Sequence, residues 1–154
     1  MIRNADTTHV ADGAPQEATG AVLVCGAGIT GIQASLDLAE SGFKVYLLDP
    51  SPAIGGRMAM LDKTFPTGDC AMCIISPKLV ECARNKNIEI ITLTDVEGIA
   101  GQPGNFQVAL RQRPRYVEAR KCNACGDCVE ACPVSVPNEF DRSLGKRKAI
   151  YRLY

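Results

Sequence analysis

Four cysteines in this 154-residue chain are spaced for one kind of chemistry. Cys122, Cys125, Cys128 and Cys132 form the run C-x2-C-x2-C-x3-C, and Pro133 closes it. Thiolates at that spacing, presented by a tight loop, surround a 4Fe-4S cube. A zinc site needs two ligand pairs set apart by a longer excursion, whereas only two residues lie between Cys125 and Cys128. In two-cluster ferredoxins the fourth cysteine of such a run serves the other cluster. The run therefore leaves open whether Cys132 or a remote cysteine completes the cube. Cys70-x2-Cys73 is the reserve pair, with three readings: cluster ligands, a redox dithiol, or plain loop thiols. Cys25 and Cys82 read as small hydrophobes of the core.

A second constellation is Gly26-x-Gly28-x-x-Gly31. In a dinucleotide-binding turn the first glycine allows the bend and the second admits the pyrophosphate to the backbone. The third lets helix and strand pack closely. The free N–H groups at the start of the following helix, with the positive end of its dipole, stabilise a phosphate without a basic side chain. Asp49, 18 residues beyond Gly31, is placed to accept hydrogen bonds from ribose hydroxyls. Gly55-Gly56-Arg57 then continues the pattern as FAD-binding proteins do, which favours FAD over NAD. The two constellations together describe redox chemistry: a flavin beside an iron-sulfur cluster.

The elements that must position these residues are legible around them. AVLVC, from Ala21, is a continuous apolar run of the kind a central parallel strand shows. In ITGIQASLDLAES, residues Ile29, Ile32, Leu36 and Ala39 recur at helical spacing, and Gly42 supplies the stop. FKVYLLD is a second buried strand, which completes a βαβ unit. Residues 50–56 read as loop, Pro77 to Asn85 as a short helix and IEIITL as a third strand. NFQVALRQR alternates apolar Phe106, Val108 and Leu110 with polar residues after the turn-forming Gly101-Gln102-Pro103-Gly104, which predicts an antiparallel hairpin. KRKAIYRLY reads as the start of one more strand. Residues 1–19 are polar and without periodicity, so they read as a flexible tail, and His9 within it has no metal-ligating neighbour.

Composition narrows the classes. Hydrophobic residues make up 46% of the chain, enough to bury a sheet under helices. Lys plus Arg and Asp plus Glu balance at 17 each, which argues against nucleic acid or an anionic membrane as the partner. No apolar run approaches the roughly 20 residues of a membrane span, nor is there the apolar core of a signal peptide. A cytoplasmic protein is the expectation, and in a reducing compartment abundant cysteine points to metal or redox work.

These motifs resemble one family as a set: the flavoprotein A-subunit of heterodisulfide reductase and its relatives in anaerobic electron-transfer complexes. The resemblance runs through VCGAGITGIQASLDLAESG, IGGRMAMLDKTFPTGDCAMCIISPKLVE, NIEIIT and GNFQVALRQRPRYV to the cysteine run and RKAIY. LDKTFPTGDCAMC is its most specific part. The resemblance implies an oxidoreductase in which FAD takes an electron pair from a hydrogenase or formate dehydrogenase partner and passes single electrons through 4Fe-4S clusters. Ferredoxin is a further partner, and disulfide reduction belongs to another protein of the complex. It also suggests that Lys78, in PKLVE, approaches the flavin ring. Family members are longer, so the chain reads as a short form or fragment. The expected fold is α/β: a Rossmann-type FAD-binding βαβ domain over 20–118 with a β-meander, a ferredoxin-like 4Fe-4S insert over 119–138, and a strand over 139–154 returning to the FAD domain. Two rivals stand beside this reading. One is a self-contained FAD-dependent dithiol oxidoreductase working through Cys70 and Cys73. The other is an iron-sulfur assembly protein without flavin.

Overall fold

The computed structural model describes residues 20–154, so the expectations for residues 1–19 and His9 lie outside the described residues. The chain divides into two compact units, Met1–Pro114 and Arg115–Tyr154.

The first unit is α/β. Strands β1 (Ala21–Cys25), β2 (Lys44–Asp49) and β3 (Ile88–Thr92) form a parallel sheet in the order β1-β2-β3. Val22 lies opposite Val45, and Leu47 opposite Ile90. Central position explains the composition of β2: Val45, Leu47 and Leu48 are buried on successive faces, as a strand covered on both sides requires. Helix α1 (Ile29–Glu40) crosses from β1 to β2. Its Ile32, Leu36 and Ala39 join Val45 and Leu47 of the sheet and Ile75 and Cys82 of helix α2 (Ala71–Arg84) in one core. Burial, with a smaller effect of Glu81, pushes the Cys82 thiol above its ordinary range. Gly42 ends α1 with φ of +90°, the left-handed conformation expected of its stop.

Helix α2 begins six residues before the Pro77 start that the sequence suggested, and Pro77 lies inside it. Two observations account for the longer helix. Cys70 caps the N-terminus by accepting the Cys73 N–H at 3.2 Å, and Ala71 and Ile75, both before the proline, are fully buried. An interior proline costs about 3 kcal/mol through the lost N–H and the ring's clash with the preceding turn. Burial of those two side chains and the cap work against that cost.

The hairpin forms as expected, from β4 (Thr94–Gln102) and β5 (Asn105–Gln112). Gly101, in β4 two residues before the Pro103-Gly104 turn, is obligatory, with φ of +100° and a Cβ position that would lie 2.2 Å from the Asn105 carbonyl oxygen. A bulge between Val96 and Gly98 restores register, so that Val96, Ile99, Phe106, Val108 and Leu110 share one face. Among the described residues the expected β-meander consists of this pair alone.

The second unit is small and thinly packed. It holds helix α3 (Asp127–Ala131) and an antiparallel pair, β6 (Ser135–Pro137) with β7 (Lys146–Lys148). The strand expected to return over 139–154 is thus corrected: β7 pairs within its own unit, with Val136 opposite Arg147, and adds nothing to the three-stranded sheet. Arg147 lies 3.7 Å from the Tyr151 ring centroid. Cys132 is the one buried residue of this unit. No helix among the described residues is long and apolar enough to cross a membrane.

Candidate functional site

The turn from β1 into α1 opens on a cleft of about 490 Å³ lined by Cys25, Gly26, Gly28, Gly31, Arg57 and Met58 among others. Each glycine meets its requirement differently. Gly26 has φ of +102°, which a side chain resists. A Cβ on Gly31 would fall 1.8 Å from the Gly26 carbonyl oxygen, so helix and turn touch backbone to backbone. Gly28 faces open space, with nothing within 4 Å of a built Cβ. The turn therefore has one position closed by packing and one left open toward the cleft, the geometry that pyrophosphate approach requires. Gly28 also caps α1 without a side chain, and the first turn of α1 carries no acidic residue. Its N–H groups carry no side-chain cap and no acidic residue of the helix's own first turn beside them.

Gly55 and Gly56 buttress this turn. The Gly55 N–H donates to the Ala27 carbonyl at 2.7 Å, and a Cβ on Gly56 would lie 2.9 Å from the Cα of Gly28. Arg57, exposed beside them, brings the one basic side chain to the cleft lining. A dianionic diphosphate fits this donor set.

Asp49 does more local work than its expected contact with ribose. Its carboxylate is 6% exposed; one oxygen accepts the Ala27 N–H at 2.7 Å and the other the Ser51 N–H at 2.7 Å. The side chain thereby ties the end of β2 to the glycine turn. Asp49→Ala should cost about 2–4 kcal/mol, from two charge-assisted bonds and a stranded buried donor. Urea unfolding followed by circular dichroism reads this directly; a change within about 0.5 kcal/mol would mean that water replaces the carboxylate.

Four further residues singled out in the sequence have defined places. Cys25, read as core, is exposed at the mouth of the cleft, because the C-terminal end of β1 opens there. Lys78 is half-buried, bonds Gln33 of α1 and does not line the cleft; Gln33 in turn donates to Asp37 at 2.7 Å. Cys70 and Cys73 lie together as a disulfide at the start of α2. Met58 is a lining residue that the sequence reading missed. Its position directly after Gly55-Gly56-Arg57 was the available signal.

In the second unit Cys122, Cys125 and Cys128 are exposed, while Cys132 is buried, its Sγ 3.6 Å from the Val134 carbonyl. The backbone amide of Ile150, then that of Val134, holds the Cys132 thiol below its ordinary range; burial opposes this, and the Ala149 amide and Lys148 add to it. Ala124 and Gly126 adopt positive φ between the cysteines, bending the loop sharply. Among the described residues no three Cys, His, Asp or Glu side chains converge as a metal site. The donor set itself, four thiols at ferredoxin spacing, is that of an iron-sulfur cube rather than of a hard cation.

Comparison with known proteins agrees with both halves. Residues 115–137 match the family described as "4Fe-4S binding domain". The chain is 58% identical over 129 residues to the A-subunit of H(2)/formate:CoB-CoM heterodisulfide,ferredoxin reductase from Methanococcus maripaludis, covering 84% of this chain and 20% of that protein. It is 55% identical over 135 residues to the first iron-sulfur A-subunit of CoB--CoM heterodisulfide reductase from Methanopyrus kandleri, covering 88% and 20%. Among solved structures, L-proline dehydrogenase from P. horikoshii shares the fold at a TM-score of 0.50 and 22% identity, over 63% of this chain and 20% of that one. Thioredoxin reductase of T. acidophilum does so at 0.50 and 22%, over 59% and 30%. Over most of its length this chain is homologous to A-subunits of heterodisulfide reductases, and it spans about a fifth of the relatives it matches.

Proposed function

We propose that this chain is an electron-transfer module of a heterodisulfide-reductase-like oxidoreductase, with FAD in the glycine cleft of the first unit and a 4Fe-4S cluster on Cys122, Cys125, Cys128 and Cys132 of the second. The observation that carries it is the open Gly28 face, framed by Gly26, Gly31, Gly56 and Arg57, in the same chain as the four-cysteine run. Bound there, the flavin supplies interconversion of electron pairs and single electrons, and the cluster supplies one-electron relay. The protein's own contribution is positional. The backbone N–H groups at the start of α1 and the Arg57 guanidinium would neutralise the diphosphate, and Asp49, which fixes the turn, would accept a hydrogen bond from the ribose. The cysteine thiolates hold the iron. Partner proteins, hydrogenase-like or formate-oxidising, would deliver electrons, and ferredoxin or a disulfide-reducing partner would receive them.

The test is anaerobic purification followed by FAD, iron and acid-labile sulfide determination per chain. About one FAD with about four iron and four sulfide supports the module. Iron without flavin would refute the cleft assignment and favour a flavin-free cluster protein; flavin without iron would refute the cluster.

A further inference from the structure

The sulfur pair at the start of α2 belongs neither to the glycine cleft nor to the four-cysteine run. Cys70 and Cys73 form a disulfide with Cα atoms 5.2 Å apart, and both residues are exposed. Cys70 is the N-cap of a 14-residue helix, and Cys73 is its third residue. The Cys73 N–H donates to Cys70 Sγ at 3.2 Å. The approach to the pair is held by short-range bonds: Thr64 N–H to the Asp69 carbonyl at 2.9 Å, Gly68 N–H to that of Thr64 at 2.8 Å and Ala71 N–H to that of Asp62 at 3.0 Å. The disulfide is thus presented on a stiff loop, open to solvent.

This asymmetry decides the direction of exchange. Thiol–disulfide exchange proceeds fastest when the departing sulfur is best stabilised as a thiolate. Cys70 Sγ has a backbone donor and, as the N-cap, sits nearer the positive end of the helix dipole than Cys73, the third residue of the helix.

We propose that Cys70–Cys73 is a redox-active pair that exchanges electrons with an external dithiol. A thiolate of the dithiol attacks Cys73 Sγ, forming a mixed disulfide, and the Cys70–Cys73 bond breaks with its electron pair leaving on Cys70 Sγ. The second thiol of the reductant then attacks its own sulfur in the mixed disulfide and releases Cys73. The reductant leaves as a disulfide, two electrons stay on the pair, and the two protons it gives up reach Cys70 and Cys73 through solvent. The proposal is independent of the flavin assignment.

The test uses the full chain, purified anaerobically with its cofactors and then oxidised. It is exposed to dithiothreitol or to reduced thioredoxin, quenched by alkylation and read cysteine by cysteine by mass spectrometry. Cys70 and Cys73 should pass from blocked to alkylated together, in one two-electron transition, with iron content unchanged. Reduction by dithiothreitol alone identifies a small dithiol as the partner class, and faster reduction by thioredoxin identifies a protein dithiol. Resistance to both, or alkylation of both residues before any reductant is added, would overturn the proposal. Single variants locate the stabilised sulfur: the lone Cys70 of Cys73→Ser should alkylate about tenfold faster at neutral pH than the lone Cys73 of Cys70→Ser. Equal or reversed rates would refute the assigned direction. Loss of iron and sulfide from either variant would identify the pair as cluster ligands and sink the dithiol reading.

Discussion

Gly31→Ala and Gly28→Ala should separate what the glycine turn does for the fold from what it does for the ligand. The Gly31 methyl would sit 1.8 Å from a backbone oxygen, with no flexible side chain to give way. Helix α1 must then move off β1, at a cost of about 3 kcal/mol or more, at the upper end of overpacking penalties. Thermal melting should fall by more than about 10 °C, and flavin should be lost with it. The Gly28 methyl meets nothing within 4 Å and the backbone there is extended, with φ of −76° and ψ of −177°. That variant should melt with the parent protein yet bind FAD roughly 10–100-fold more weakly, because its methyl takes the space that the diphosphate needs. Unaltered flavin affinity in Gly28→Ala would remove the diphosphate from this face of the turn.

Cys125→Ser should do more than lower iron content. The unit from Arg115 to Tyr154 has Cys132 as its one buried residue, with two three-residue strands and a five-residue helix around it. Domains of roughly 40 residues or fewer usually need metals, disulfides or a partner to stay folded. Binding free energy of a cluster in such a unit is folding free energy. The variant should therefore lose most of its iron and sulfide, and amides over 115–154 should exchange hydrogen fully within seconds. Those of β2 should keep their protection. Protection that persists over 134–150 without iron would show that the β6–β7 pair stands without the cluster.

Local signals in the sequence were strong where the chain is locally determined. α1 and β2 were legible because helical spacing, the Gly42 stop and burial on both faces of β2 all act within a few residues of one another, whereas β1, expected as a central strand, lies at the edge of the described sheet with none of its residues buried. The hairpin was legible because Gly101 and Gly104, which flank and form its turn, both take a positive φ that other residues resist. The start of α2 was not: Pro77 resembles a helix's first residue, and what overrides it is burial of Ala71 and Ile75 against elements distant in sequence, with a cysteine as the cap. Cys25 was misread for a related reason. Strand periodicity places it in the sheet but does not say that the strand's end opens on a cleft. The partner of β7 was hidden because β6 and β7 pair across a loop with no hairpin signature. At the cleft, the glycine positions were legible by type and spacing, whereas the two backbone bonds of Asp49 depend on the close approach of Ala27 and Ser51, which spacing alone does not encode.

Pro77 has one more effect on α2. Lacking an N–H, it leaves the Cys73 carbonyl without its partner in the helix ladder, while the neighbouring rungs still span residue 77. Ile75 before the proline and Cys82 after it are buried in one core, so packing ties the two sides of the missing rung together and anchors the turn that carries Cys70 and Cys73 to the rest of α2.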